Sequence, residues 1–130
     1  MKTVFVFFAF VIVFATASCS SDNVKDETID ITGKWKLIEK FSDRGDGNGH
    51  WVNVSDSDSY TINFDSNGSF ITNTCSGRYE IFQSSYNTLV LHCPNEVKKR
   101  SIILRDTFLI IDGTPYICDE SCAEKFIKIE

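Results

Sequence analysis

From Gly33 onward, large apolar side chains recur at every second position in short runs, and turn-forming residues separate the runs. A two-residue period places alternate side chains on opposite faces of an extended strand, so each run reads as a strand with one oily face and one wet face. In KWKLIEKF, Trp35, Leu37, Glu39 and Phe41 share one face, while Lys34, Lys36, Ile38 and Lys40 share the other. Tyr60, Ile62 and Phe64 alternate with Thr61 and Asn63. After Asp65-Ser66-Asn67-Gly68, Phe70 to Asn73 runs back as the return strand, because Asn-Gly readily takes the positive φ angles of a tight hairpin. Further strands are expected over 77–82, 88–92, 99–104, 107–112 and 125–129, with a weaker one over 50–54. No helical 3,4 spacing persists beyond a turn or so. Such a chain folds as an antiparallel sandwich or a closed barrel. Closure removes the edges that so many short strands would leave unpaired, so the expected class is all-β, a meander of about eight strands closing into a small barrel.

The N-terminus carries a different signal. Lys2 precedes Val4 to Ala15 (VFVFFAFVIVFA), twelve apolar residues without a break. A helix crossing a bilayer core needs about 20 such residues, so this run is too short to span and reads as a cleaved signal peptide. Ala15-Thr16-Ala17-Ser18 follow, and then Cys19. The stretch resembles a bacterial lipobox, with Thr16 standing where that pattern has an aliphatic residue. The resemblance implies cleavage after residue 18 and a lipid on the sulfur of Cys19; the alternative is ordinary secretion with Cys19 left free.

Cysteine parity bears on the same point. There are five cysteines, Cys19, Cys75, Cys93, Cys118 and Cys122. An odd number in an exported chain calls for an explanation, and lipidation of Cys19 leaves four that can pair twice. Cys75 begins the strand carrying Tyr79 and Ile81, and Cys93 ends the strand carrying Leu89 and Leu91. The turn over 84–87 lies near the midpoint of the two cysteines, so folding the hairpin there sets them opposite one another on the apolar face. Cys118 and Cys122, in CDESC, are spaced to close a small loop before the last strand. The expected disulfides are thus 75–93 and 118–122 among the three possible pairings. Zinc is the rival use of these cysteines, but CDESC has no matching second pair and an oxidising compartment favours disulfides.

The organisation that follows is a signal peptide over 1–18, a lipidated cysteine with a flexible acidic tether over 19–32, and one barrel domain over 33–130. Without its signal the chain has 112 residues, with twelve basic against eighteen acidic side chains, a net charge of −6. That balance argues against nucleic acid, whose binding rests on neutralised phosphates, and against a polybasic membrane patch. The tether SSDNVKDETIDIT carries Asp22, Asp26 and Glu27 soon after the anchor. It resembles the start of outer-membrane lipoproteins of the Bacteroidetes, which implies an outer-membrane, lipid-anchored place in the cell envelope, on the periplasmic or the cell-surface side.

Gly33-Lys34-Trp35, opening the first strand of a β-meander behind such a signal, resembles the lipocalin-like domain of small Bacteroidetes lipoproteins. The INFDSNGSF hairpin, the CSGRYEI strand and the CDESCAEKFIKIE ending agree with it. The resemblance implies that Trp35 closes the base of the barrel. That family stacks a late arginine on the tryptophan; no arginine follows Arg105 here, so the place falls to a lysine such as Lys128. It also implies a small hydrophobic ligand inside the barrel. The residues expected to line such a site are Trp35, Leu37, Tyr60, Ile62, Phe64, Phe70, Tyr79, Ile81, Leu89 and Leu91, although each of these also suits plain core filling. Glu39 shares their face and belongs either in water at the barrel mouth or against a polar group of the ligand.

No catalytic set emerges. His50 lies in a Gly-rich loop and His92 beside Cys93, and neither has an evident partner for acid–base work. Asp43, Asp46 and Asn48 do not follow the spacing of an EF-hand. The chain is therefore read as a non-enzyme without metal or cofactor, partnered by the membrane through Cys19. Two functions compete: a module binding a small hydrophobic ligand, and a solid barrel that contacts or inhibits another envelope protein.

Overall fold

A computed structural model describes residues 28–114 and 122–130. It contains nine strands: β1 (Gly33–Ser42), β2 (His50–Asn53), β3 (Thr61–Phe64), β4 (Ser69–Ile71), β5 (Ser76–Phe82), β6 (Asn87–His92), β7 (Val97–Leu104), β8 (Phe108–Asp112) and β9 (Glu124–Lys128). Every expected strand is present, the weak one at 50–54 included. All pairings are antiparallel, and β1 pairs with β9, so eight strands close into a barrel. The ninth, β2, stands outside the meander. It pairs only with the far half of β1, Glu39 to Ser42, while β3 takes the near half, Gly33 to Lys36, on the same side.

Both ends of the barrel follow from strand direction. β1 rises from the base, where Trp35 sits opposite Ile62 and Lys128. The segment before it crosses that end: Ile31 is fully buried, Ile29 packs against the core, and the Trp35 Nε1–H donates to the Ile31 carbonyl at 2.8 Å. A buried indole needs such an acceptor. Lys128 Nζ stands 5.7 Å over the Trp35 ring. Gly33 makes the start of β1 possible, with φ at +127° and a Cβ position that would lie 2.6 Å from the Glu130 carbonyl oxygen.

The lower barrel is solid. Leu37, Phe64, Phe70, Leu89, Leu109 and Phe126 are all within 1% of complete burial. Phe64 meets Tyr79 edge-on at 5.0 Å and lies tilted against Phe70 at 6.5 Å, so aromatic volume fills the space that a wider barrel would leave open.

Two local details depart from the sequence reading. In the β3–β4 turn only Gly68 has positive φ, +82°; Asn67 instead uses its side-chain oxygen to accept from the Ser69 N–H at 2.8 Å. The turn closes through the Gly68 N–H to the Asp65 carbonyl, so one glycine is enough. The second departure is a bulge in β1. Leu37 pairs with Phe126, but Glu39 pairs with Lys125, one residue out of step. A bulge reverses which face the following residues occupy. Glu39 and Phe41 therefore leave the face shared by Trp35 and Leu37 and stand on the outer wall, and Lys40 turns inward opposite Glu124.

On that outer wall, Lys125 bonds to Glu39, and its Nζ lies 4.3 Å over the Trp51 ring. Trp51 also meets Phe41 edge-on at 5.4 Å across the β1–β2 pair. This cluster is what holds β2 in place without a second neighbouring strand.

Candidate functional site: the barrel mouth

At the end opposite Trp35 the strands open on a cup of about 200 Å³. Its apolar floor is Ile62, Leu91 and Ile111. Tyr60 and the β4–β5 connection from Thr72 to Cys75 form one side, and Lys98, Arg100 and Glu124 form the other. A larger hollow of about 660 Å³ lies on the outer wall of β1, β3 and β4, between Lys34, Asn63 and Ile71. It is the more open to water of the two, so the cup at the mouth is the better-enclosed candidate.

Register explains why charged side chains face the cup. Directly opposed residues of an antiparallel pair share a face. Arg100 is opposite Leu89 and Lys98 opposite Leu91, so both cations lie on the inner face of β7 with Ile102. Glu124 is opposite Ile111 on one side and Lys40 on the other. The Tyr60 hydroxyl donates to Glu124 Oε2 at 2.6 Å, and Lys40 Nζ lies 3.4 Å from Oε1. Burial first, and then the hydrogen bond to this carboxylate, push the Tyr60 phenol well above the ordinary tyrosine range, with the Arg100 charge opposing them. Tyr60 also meets Phe126 edge-on at 5.6 Å, which ties the polar layer to the solid core beneath.

Cys75 and Cys93 are joined, with Cα atoms 5.8 Å apart, as the hairpin geometry requires. The bond clamps β5 to the end of β6 at the rim of the cup. Cys122 is also held in a disulfide; the expected 118–122 pair falls on Cys118, which lies outside the described residues, as does Cys19.

The residues expected to line a site fall into three groups. Tyr60, Ile62 and Leu91 line the cup. Trp35, Leu37, Phe64, Phe70 and Leu89 are buried in the core below it, with Tyr79 and Ile81 packed against them. Glu39 is on the outside, bonded to Lys125, because the bulge precedes it. Sequence reasoning missed Lys98, Arg100, Ile111 and Glu124. The parity of Arg100 with Ile102 and Leu104 was the available signal. His50 is exposed at the start of β2, and His92 Nε2 lies 3.8 Å from Glu80 Oε2 at the end of β6. Among the described residues, no group of three or more His, Cys, Asp or Glu side chains is placed to hold a metal ion.

Comparison with protein-family models, curated proteins and solved structures returns no match to this chain.

Proposed function

We propose that the chain is a non-enzymatic lipoprotein, anchored in the outer membrane through Cys19, whose barrel mouth binds a small molecule. The observation that carries the binding reading is the cup itself: an apolar floor of Ile62, Leu91 and Ile111 beneath a rim of polar side chains, about 200 Å³ in volume. Ligand sites combine an apolar body with a few placed polar groups in this way. Because the lower barrel is filled by Phe64, Phe70 and Phe126, the ligand sits at the mouth and only its apolar part reaches the floor. The lipocalin-like family reading draws support from the closed eight-stranded barrel and from Lys128 over Trp35.

Anchoring follows from the short apolar run and the small residues before Cys19. Growth with a fatty-acid analogue should label the chain, and Cys19→Ala should abolish both label and membrane retention. Native mass spectrometry of the lipid-free mature chain, purified from its own envelope, tests binding: a retained small-molecule mass is expected. A bare protein mass accompanied by a stoichiometric second protein would favour an interaction module instead.

A further inference from the structure

We infer that the mouth cup selects a monoanion: a short amphipathic carboxylate whose apolar end rests on Ile62, Leu91 and Ile111 and whose head is taken by Arg100 and Lys98. This rests on the binding reading above and narrows its ligand class.

The argument starts from Arg100. It is half-buried on the inner face of β7, directly opposite Leu89, which is completely buried. A guanidinium drawn toward an apolar interior needs an anion or a full set of acceptors to offset lost hydration. Among the described residues no carboxylate lies within ion-pair distance of it, and its Nη1 donates only to the neighbouring Lys99 carbonyl, at 2.7 Å. Most of its donors are left for another acceptor, and its planar fork matches a carboxylate.

The acid that could have served it is already engaged. Glu124 accepts from Tyr60 through one oxygen and faces Lys40 through the other. Lys98 pairs at 3.0 Å with Glu96, whose side chain is 59% exposed. A pair open to water to that extent contributes little, so Lys98 can turn to a bound anion at small cost. The described lining of the cup thus holds two cations, Lys98 and Arg100, against one carboxylate, Glu124, whose two oxygens are both engaged, in a protein of net charge −5. The β8–β9 connection also carries Asp119 and Glu120, which lie outside the described residues.

Size sets the rest of the ligand. A space of about 200 Å³ equals roughly seven water volumes at about 30 Å³ each. Within the cup that accommodates a chain or ring of roughly six to eight non-hydrogen atoms.

The test is a titration of the methyl-labelled, lipid-free mature chain with hexanoate, 1-hexanol and hexylammonium, following the Ile62, Leu91 and Ile111 methyl resonances. Hexanoate should move these methyls and bind about tenfold or more tightly than either of the others, and its affinity should fall as salt is raised. Arg100→Met should weaken hexanoate about tenfold and shift 1-hexanol by much less, so that the preference between the two collapses. Equal binding of hexanol and hexanoate at these methyls would overturn the anion inference and leave the binding reading standing. No movement with any of the three would overturn both. Should the Arg100→Met chain lose its dispersed methyl spectrum, the comparison of the three ligands on the unaltered chain decides alone.

Discussion

Tyr60 and Glu124, 64 residues apart in sequence, are joined across the barrel mouth by a 2.6 Å hydrogen bond from the phenol to the carboxylate. The bond links the strand entering β3 to the first residue of β9, and Lys40 of β1 holds the other oxygen of the same carboxylate. Three strands thus meet in one polar layer immediately above Phe126.

This pair makes stability depend on alkaline pH. The folded-state pKa of Tyr60 is raised above the ordinary value, so below about pH 10 the phenol is protonated in both states and its contribution is fully present. Above that, the unfolded chain releases the proton and the folded chain keeps it, so stability falls as pH rises. For one proton the slope is at most about 1.4 kcal/mol per pH unit. Urea unfolding at a series of alkaline pH values should show the fall, and Tyr60→Phe should remove this part of it while costing about 1–3 kcal/mol at neutral pH.

The outer cluster predicts a graded response at β2. Trp51→Ala removes both the edge contact with Phe41 and the platform under Lys125, and should cost about 1–3 kcal/mol. Glu39→Gln leaves the aromatic contacts intact and should cost under about 1 kcal/mol, since the Glu39–Lys125 pair is partly exposed. Denaturant midpoints of the two variants check the order.

At the rim, removing the Cys75–Cys93 bond as Cys75→Ala/Cys93→Ala should cost about 3 kcal/mol, the loop-closure value for a separation of 18 residues. Gly77→Ala should destabilise the same hairpin with the disulfide intact, because its Cβ would stand 1.9 Å from the His92 carbonyl oxygen. Amide exchange in β5 and β6 should accelerate in both variants before that in β8 and β9.

At the base, Gly33→Ala combines a positive φ with a backbone contact. The displaced Lys128 side chain can move aside, but the Glu130 carbonyl oxygen is main chain. A loss of about 1–3 kcal/mol is expected. Thermal unfolding of this variant beside Gly47→Ala, whose Cβ meets nothing within 4 Å, separates the steric cost from the conformational one.

Nine strands and the 75–93 pairing were legible because alternation and turn residues are local properties of the chain. The bulge at Leu37–Glu39 was not. LIEK alternates equally well with or without an extra residue, and only the partner strand β9 reveals the slip. Local alternation therefore puts Glu39 on the wrong face and hides the inward turn of Lys40. The polar wall of the cup was missed for a different reason. An inner face is expected to be oily, so no cation enters the expected lining set, although Arg100 keeps step with Ile102 and Leu104. Where the solid core ends and the cup begins depends on how far Phe64, Phe70 and Phe126 reach up the barrel, a matter of packing across strands.

The most direct measurement is of intermolecular NOEs between the methyl-labelled chain and whichever of hexanoate or 1-hexanol binds more tightly. Contacts to Ile62, Leu91 and Ile111, with none to Leu37, Leu89 or Leu109, are the expected result. Contacts reaching Leu37, Leu89 or Leu109 would mean that the ligand space is the barrel interior, and contacts confined to the outer wall near Ile71 would remove the mouth as the site.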